Sequence, residues 1–418
     1  MEENILNEDG IVTRAAMIAV ISDDVSEEDA EASIAELGRL LDTAGAVGVV
    51  SMIQRRPHPE NKTYLGSGKC AELKTICENE KITLVVADAE LSPMQIRNLE
   101  DELEVRVIDR SMLILDIFAL HAGSGEGKLQ VEIAQLKYTI PRLTGKGTEL
   151  SRLGGGIGTR GPGESKLETD RRHLRRRIQA LEEQLKNLEG ARATQRAARE
   201  RSGIFRLAIA GYTNAGKSTL LNALTGAGVL SEDKLFATLD PTTRKFELPS
   251  GREVLLTDTV GFIRNLPHHL IRAFRSTLDE VKYADAIIIL ADATDPYNDE
   301  QLAVTRGLIV ELGASEKPVL LVYNKCDLLD SVPKNTEDVI YVSAREGIAL
   351  DTLIERIEAL AMGGKVKVTY LFPPSEGGRV SRLYEKCTVT NVEYTAEGTV
   401  VEAIVDARYR GEMKRWER

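Results

Sequence analysis

Residues Gly211-Tyr212-Thr213-Asn214-Ala215-Gly216-Lys217-Ser218 read G-x-x-x-x-G-K-S, and no other stretch constrains the chain as much. Such a loop binds phosphate when a buried strand leads into it and a helix leads out. Phe205 to Ala210 supplies a candidate strand and Thr219 to Leu224 a candidate helix. The glycines let backbone N–H groups turn inward around a phosphate chain, and the helix N-terminus adds partial positive charge. Lys217 is placed to reach the β- and γ-phosphates, and the Ser218 hydroxyl to ligate Mg²⁺.

The strands that follow carry the rest of a nucleotide site in chain order. Val254 to Thr257 runs into Asp258-Thr259-Val260-Gly261. An acid after an apolar strand can hold Mg²⁺ through water, and the Gly261 N–H can approach a γ-phosphate closely. These four residues would sense whether that phosphate is present. Phe236-Ala237-Thr238-Leu239-Asp240 lies on a segment long enough to fold over the nucleotide. The Thr238 hydroxyl can complete the metal shell beside Ser218. Thr242 and Thr243 compete for that role, and spacing does not choose among them. Val319 to Tyr323 ends in Asn324-Lys325-Cys326-Asp327, a base-reading pattern. A carboxylate at Asp327 accepts from both N1–H and the 2-amino group of guanine. Adenine offers neither and would leave the acid unpaired. Ser343-Ala344-Arg345, after the strand Val339 to Val342, is placed to present an N–H to guanine O6.

The residue after Gly261 is Phe262, where small switch GTPases place a water-orienting Gln. A phenyl ring cannot orient a water, so slow hydrolysis awaiting a partner is expected. Lys217, Thr238 and Gly261 are the residues assigned to the hydrolytic step. No Ser/His/Asp or Cys/His constellation is visible, and His268-His269 are expected only to cover the helix after the switch.

Around this α/β nucleotide domain, at residues 204–363, three further units are expected. Residues 1–125 alternate candidate strands with helical patterns, which implies a small α/β domain with a mostly parallel sheet. The strands are Met17 to Ile21, Ala46 to Val50, Ile82 to Val86 and Val105 to Ile108. Ser26 precedes the first helix as its N-cap. Gly66-Ser67-Gly68-Lys69 reads as a helix N-terminus rather than a second phosphate loop. In residues 126–203, Leu129, Ile133, Leu136 and Ile140 form one narrow apolar seam. Leu174, Ile178, Leu181, Leu185 and Leu188 form another. Two facing seams predict an antiparallel helical hairpin, with Pro141 closing its first helix. The connector, from Leu143 to about Lys166, is long and glycine-rich, which marks it as functional or disordered. Residues 364–418 predict a small α+β appendage that leans on the domain before it.

Charge is uneven. The 418 residues carry a net −11, yet Arg142 to Arg206 holds 16 Lys/Arg against 8 Asp/Glu. Such asymmetry points to a polyanionic partner for that part alone. Arg152, Gly155, Gly156, Arg160, Gly161, Lys166, Arg171 and Arg172 would make a basic tip able to approach RNA closely. Four scattered cysteines, Cys70, Cys77, Cys326 and Cys387, argue against zinc and against a disulfide framework. With no signal peptide and no apolar run near the length of a membrane span, a cytoplasmic, monomeric protein is expected. Two rival readings stay open on the residues: an ATP-driven RNA remodelling factor, and a nucleotide-regulated scaffold that binds a protein through the arm.

Over nearly its whole length the chain resembles the HflX family of the Obg–HflX superfamily. The resemblance rests on Asp109-Arg110-Ser111 with Leu113 to Phe118, on Gly127 to Leu143, on Gly154 to Arg172, and on Phe236 to Asp240. It implies that Phe236 to Asp240 is the first switch and that Thr238 is the Mg²⁺ ligand among the three threonines. A hydrophobic residue in place of the catalytic Gln also fits. His121 departs from the family's pattern, where Arg is expected. The resemblance further implies GTP and GDP as ligands, binding to the large ribosomal subunit and its rRNA through the arm, hydrolysis stimulated by ribosomes, and splitting or rescue of stalled ribosomes under stress.

Overall fold

The computed structural model describes residues 12–143, 162–201, 204–226, 234–236, 239–336, 338–363, 365–376, 378–395, 397–406, 410 and 413–418. Among them lie three sheets.

The first domain is a parallel sheet in the order β2-β1-β3-β4. Its strands are β1 (Thr13–Ile21), β2 (Ala46–Arg55), β3 (Leu84–Ala87) and β4 (Arg106–Asp109). Every residue of β3 is buried, as a central parallel strand covered on both faces requires. Helix α1 (Glu27–Thr43) starts where expected: the Ser26 hydroxyl accepts from the Asp29 N–H. Helix α2 (Ser67–Glu80) begins right after Gly66, so the glycine-lysine run is a helix start as read. Helix α3 (Pro93–Leu103) opens with a capping box between Ser92 and Gln95. Leu65, Leu73, Leu99 and Val85 pack on one face of the sheet. The other face carries α1 and α4 (Arg110–His121).

Helices α5 (Gly125–Arg142) and α6 (Pro162–Arg201) make the helical region. Pro141 stands one residue before the end of α5, close to its expected closing position. The second helix starts four residues before Lys166, so the connector is shorter than the sequence reading had it; proline suits a first helical position. Of the proposed tip, Arg152, Gly155, Gly156, Arg160 and Gly161 lie outside the described residues, and Lys166 is helical. Arg171 is half-buried and Arg172 exposed. Ion pairs Arg177–Glu132 (2.8 Å) and Lys137–Glu182 (2.7 Å) flank the two seams. Helix α5 is more than an arm, however. Val131, Ala134 and Tyr138, off the predicted seam, are buried in a core that also holds residues of the first and nucleotide domains.

The nucleotide domain has strand order β10-β9-β8-β5-β7-β6. Its strands are β5 (Phe205–Gly211), β6 (Thr242–Glu247), β7 (Glu253–Asp258), β8 (Ala286–Asp292), β9 (Val319–Asn324) and β10 (Val339–Tyr341). All pair in parallel except the edge strand β6. Helices α7 (Lys217–Thr225), α8 (His268–Ala273), α9 (Arg275–Tyr283), α10 (Asn298–Glu311) and α11 (Leu350–Ala361) complete it. His268 and His269 open α8. The order is the doubly wound one read from the sequence.

The carboxy-terminal unit is an antiparallel sheet, β11-β13-β12, with helix α12 (Gly378–Lys386). Its strands are β11 (Lys365–Phe372), β12 (Thr388–Thr395) and β13 (Gly398–Asp406). The unit was expected to bury little core. Among the described residues it instead has its own, with Tyr370, Phe372, Leu383 and Val401 fully buried and Trp416 packed against them.

Candidate nucleotide site

The phosphate loop leaves β5 at Gly211 and enters α7 at Lys217. Two backbone positions make it a cradle: Asn214 at φ 62° and Gly216 at φ 92°. Alternation of this kind points successive N–H groups to one side. Neither terminal glycine could carry a side chain. A methyl on Gly211 would stand 2.2 Å from the Leu290 carbonyl oxygen, and one on Gly216 2.3 Å from Asn324 Nδ2. Lys217 is buried, its Nζ donating to the carbonyls of Tyr212 (2.9 Å) and Gly211 (3.3 Å). Burial pushes its ammonium down to about 8, against the opposing pull of the Asp258 carboxylate.

Ser218 and Asp258 meet as the sequence reading required. The Ser218 hydroxyl donates to Asp258 Oδ2 at 2.6 Å, and Asp258 is fully buried at the end of β7. Thr259 spends its hydroxyl on the Ile209 carbonyl at 2.8 Å, which braces β7 against β5. Val260 belongs to the core. Gly261 lies against the phosphate loop: a methyl there would be 2.7 Å from Thr213 Cγ2 and 3.0 Å from Lys217 Nζ. Phe262 is fully buried, and its backbone is stapled to the loop. Its N–H donates to Gly211 O (3.1 Å), and its carbonyl accepts from the Thr213 N–H (2.8 Å).

At the base-reading end, both ends of the Asn324 amide are engaged inside the protein. Nδ2 donates to the Ala215 carbonyl and Oδ1 accepts from the Ala344 N–H, each at 2.9 Å. Asn324 therefore ties the phosphate loop to the Ser343-Ala344-Arg345 turn rather than acting as a free reader of the base. The Ser343 N–H goes to the Ile348 carbonyl. Lys325, at φ 64°, pairs with Asp292 at 2.6 Å, and Cys326 is buried. Asp327 and Arg345 are exposed, Asp327 on the turn directly after β9.

Of the first-switch residues, Ala237 and Thr238 lie outside the described residues. Their neighbours are firmly seated. Phe236, at φ 57°, places its ring edge-on to Phe118 of α4, 4.8 Å between centroids, and Phe118 in turn meets Phe274 at 4.6 Å. Leu239 is buried. Ser124 caps α5, its hydroxyl accepting from the Gly127 N–H, and Asp240 braces that cap: its Oδ2 accepts from the N–H groups of Gly123 (3.0 Å) and Ser124 (2.7 Å), and its Oδ1 from the Ser124 hydroxyl (2.5 Å). The rival threonines are placed otherwise. Both lie in β6, and the Thr243 hydroxyl is 3.0 Å from that of Thr257.

With this geometry on the page, the chain can be set beside known proteins. Residues 31–119 match a family described as the N-terminal region of GTP-binding GTPases, and 121–199 match the middle region of the same group. Residues 206–325 match a family described as a 50S ribosome-binding GTPase. The GTPase HflX of Caldanaerobacter subterraneus is 51% identical over 401 residues, spanning 96% of this chain and 93% of the relative. The chain belongs to the HflX family of GTPases. The Escherichia coli GTPase HflX is 41% identical over 374 residues, 87% of each chain. A crystal structure of a GTP-binding protein from Sulfolobus solfataricus in complex with GDP is 29% identical, with a TM-score of 0.44, covering 84% of this chain and 99% of that one. Like its HflX relatives, the chain is a GTP hydrolase.

The sequence reading missed residues that hold the switches from outside the nucleotide domain: Glu36, Ser124 and Gly127, and the part Arg110 plays. The resemblance singled out Asp109-Arg110-Ser111 and Gly127 without a task for either. The signal for Arg110 was an arginine opening the mostly apolar helix α4; Gly127, in a helix of mixed polarity, gave none of its own.

Proposed function

We propose that this GTPase works on the large ribosomal subunit in the cytoplasm. The nucleotide state of its switches sets how the helical arm engages ribosomal RNA. The cycle serves to split or rescue stalled ribosomes, or to aid subunit biogenesis, under stress. The observation that carries the reading is the seating of both switches at the base of the arm. Phe236 and Asp240 rest on α4 and on the start of α5, and Phe262 is buried in the core that α5 shares. A γ-phosphate that moves either switch acts directly on the arm's first helix. The excess of basic residues from Arg142 to Arg206 suits a phosphate backbone, and the 50S-binding family matched by residues 206–325 is in keeping with this partner.

In this reading Lys217 holds the β- and γ-phosphates, and the Gly261 N–H contacts the γ-phosphate. Ser218 and Thr238 ligate Mg²⁺, with Asp258 holding it through water. The hard oxygen donors of Ser218 and Asp258, 2.6 Å apart, suit that cation. Held there, the cation would offset the charge that builds up in phosphoryl transfer. Asp327 reads the guanine edge. The Arg345 N–H takes O6, because Ser343 and Ala344 spend theirs on Ile348 and Asn324. Arg152, Gly155, Gly156, Arg160, Gly161, Lys166, Arg171 and Arg172 meet the rRNA. Phe262 cannot orient the attacking water, so turnover is slow until the ribosome orders the site.

The test is GTP turnover with and without purified large subunits, at several salt concentrations. Stimulation that fades steeply with salt is expected. Rapid turnover by the protein alone, unchanged by subunits, would sink the reading.

A further inference from the structure

Where the first domain meets the nucleotide domain, an ionic cluster is sealed from water. Arg110, Glu36 and Tyr212 are 2%, 2% and 4% exposed. Arg110, at the start of α4, donates from Nη2 to Glu36 Oε1 and from Nη1 to Asp88 Oδ1 at 2.5 Å. Asp88, just past β3, also accepts from the Ser33 hydroxyl. The Tyr212 hydroxyl, at the second position of the phosphate loop, donates to the other Glu36 oxygen. The cluster then closes on the backbone of one residue of the second switch. The Arg264 N–H donates to the Tyr212 hydroxyl at 2.6 Å, and the Arg264 carbonyl accepts from Arg110 Nη2 at 3.0 Å.

Arg264 stands three residues after Gly261. The run between them is therefore held twice: at Phe262 by two backbone bonds to the phosphate loop, and at Arg264 by both of its backbone polar groups. The second grip comes from Arg110 of the first domain and from Tyr212, whose hydroxyl is held by Glu36 of that domain. Burying an arginine with two carboxylates is a poor way to gain stability, since well-packed apolar groups of similar volume commonly do as well. What such a cluster supplies is a fixed geometry, and the atoms it fixes belong to the segment that reads the γ-phosphate.

We propose that Arg110 and Glu36 are positioning residues for the γ-phosphate: Arg110 directly, and Glu36 through Tyr212 and Arg110, they set the backbone of residues 261–264, and so make the first domain part of the apparatus that tells GTP from GDP. GDP lacks the phosphate that this segment meets, so its binding does not depend on the cluster. Donors fixed in place beforehand bind the added phosphate without having to be ordered on contact. The proposal rests on assigning the Gly261 N–H to the γ-phosphate.

Equilibrium binding of fluorescent GDP and of a non-hydrolysable GTP analogue to the full-length protein tests it. Glu36→Gln keeps shape and volume and removes the charge. It is expected to weaken the analogue about tenfold, the size of an ordinary coupling between sites, and to leave GDP within about twofold. Arg110→Lys, which keeps the charge but cannot span Glu36, Asp88 and the Arg264 carbonyl, should do the same if Glu36→Gln fails to fold. In a background carrying both Arg110→Lys and Tyr212→Phe, Glu36→Gln should add nothing, because both of its routes to Arg264 are already cut. Equal losses for both nucleotides, no loss for either, or a further loss from Glu36→Gln in that background overturn the proposal. Gly261→Ala separates the two layers. If it leaves the preference for the analogue intact, the γ-phosphate assignment has failed. If it abolishes the preference while Glu36→Gln and Arg110→Lys do not, only the positioning role is lost.

Discussion

Around the phosphate loop, buried side chains hold the backbone in place. Asn324 shows this best, since its amide joins the phosphate loop to the base-reading turn and leaves Asp327 as the free carboxylate beside them. The chemistry of Asp327 gives a clear expectation. An Asn there cannot accept two hydrogen bonds from guanine, but it can donate to the carbonyl that xanthine carries at the same place. Asp327→Asn should weaken GTP by about a hundredfold or more and improve xanthosine triphosphate, as measured by competition with a fluorescent nucleotide. If GTP affinity were unchanged, guanine would be read elsewhere. The glycines flanking the loop are similarly forced, since Gly211 and Gly216 sit against Leu290 and Asn324 with no room for a methyl.

At the scale of elements, the start of α5 is where the first switch meets the helical region. A carboxylate at a helix N-terminus is favourable, and Asp240 fills that place although it lies more than a hundred residues away along the chain. Gly127 makes room for it: a methyl there would be 2.6 Å from Asp240 Oδ1, while one on Gly125 meets nothing within 4 Å. Gly127→Ala should therefore cost about 1 kcal/mol, like the loss of a helix cap, and lower Tm by about 1 °C. Gly125→Ala is the control. Equal Tm values for the two variants would show that Asp240 is not held as described. None of this was legible in the sequence. Phosphate loop, strand order and base-reading turn follow from local pattern, because each is a short run between a strand and a helix. Most of the two amphipathic seams was legible too, although Leu188 is exposed rather than in the second, but Val131, Ala134 and Tyr138 were passed over because their partners are far away in the chain. The Ser124 cap on α5 is local, but the Asp240 brace upon it comes from far along the chain, and a lone Asp after a Leu carries no periodicity. The carboxy-terminal unit was misjudged on size alone, since Tyr370, Phe372 and Trp416 concentrate apolar area in few residues.

For the molecule as a whole, the largest core ignores domain borders. Leu37, Phe118, Val131, Phe236, Phe262 and Leu270 belong to one apolar cluster drawn from the first domain, α5 and the nucleotide domain. Shared burial on that scale makes parts unfold together. Calorimetry should give one transition for residues 12–363, unaffected by removing residues 365–418, whose core is separate. Two resolved transitions within 12–363 would contradict it. The buried Phe262 has an evolutionary corollary. A side chain buried in a core that two domains share cannot be traded for a glutamine without opening a hole there. On the function proposed above, a lineage built this way would forgo the self-sufficient timer other switch proteins use, and would have its clock wound from outside.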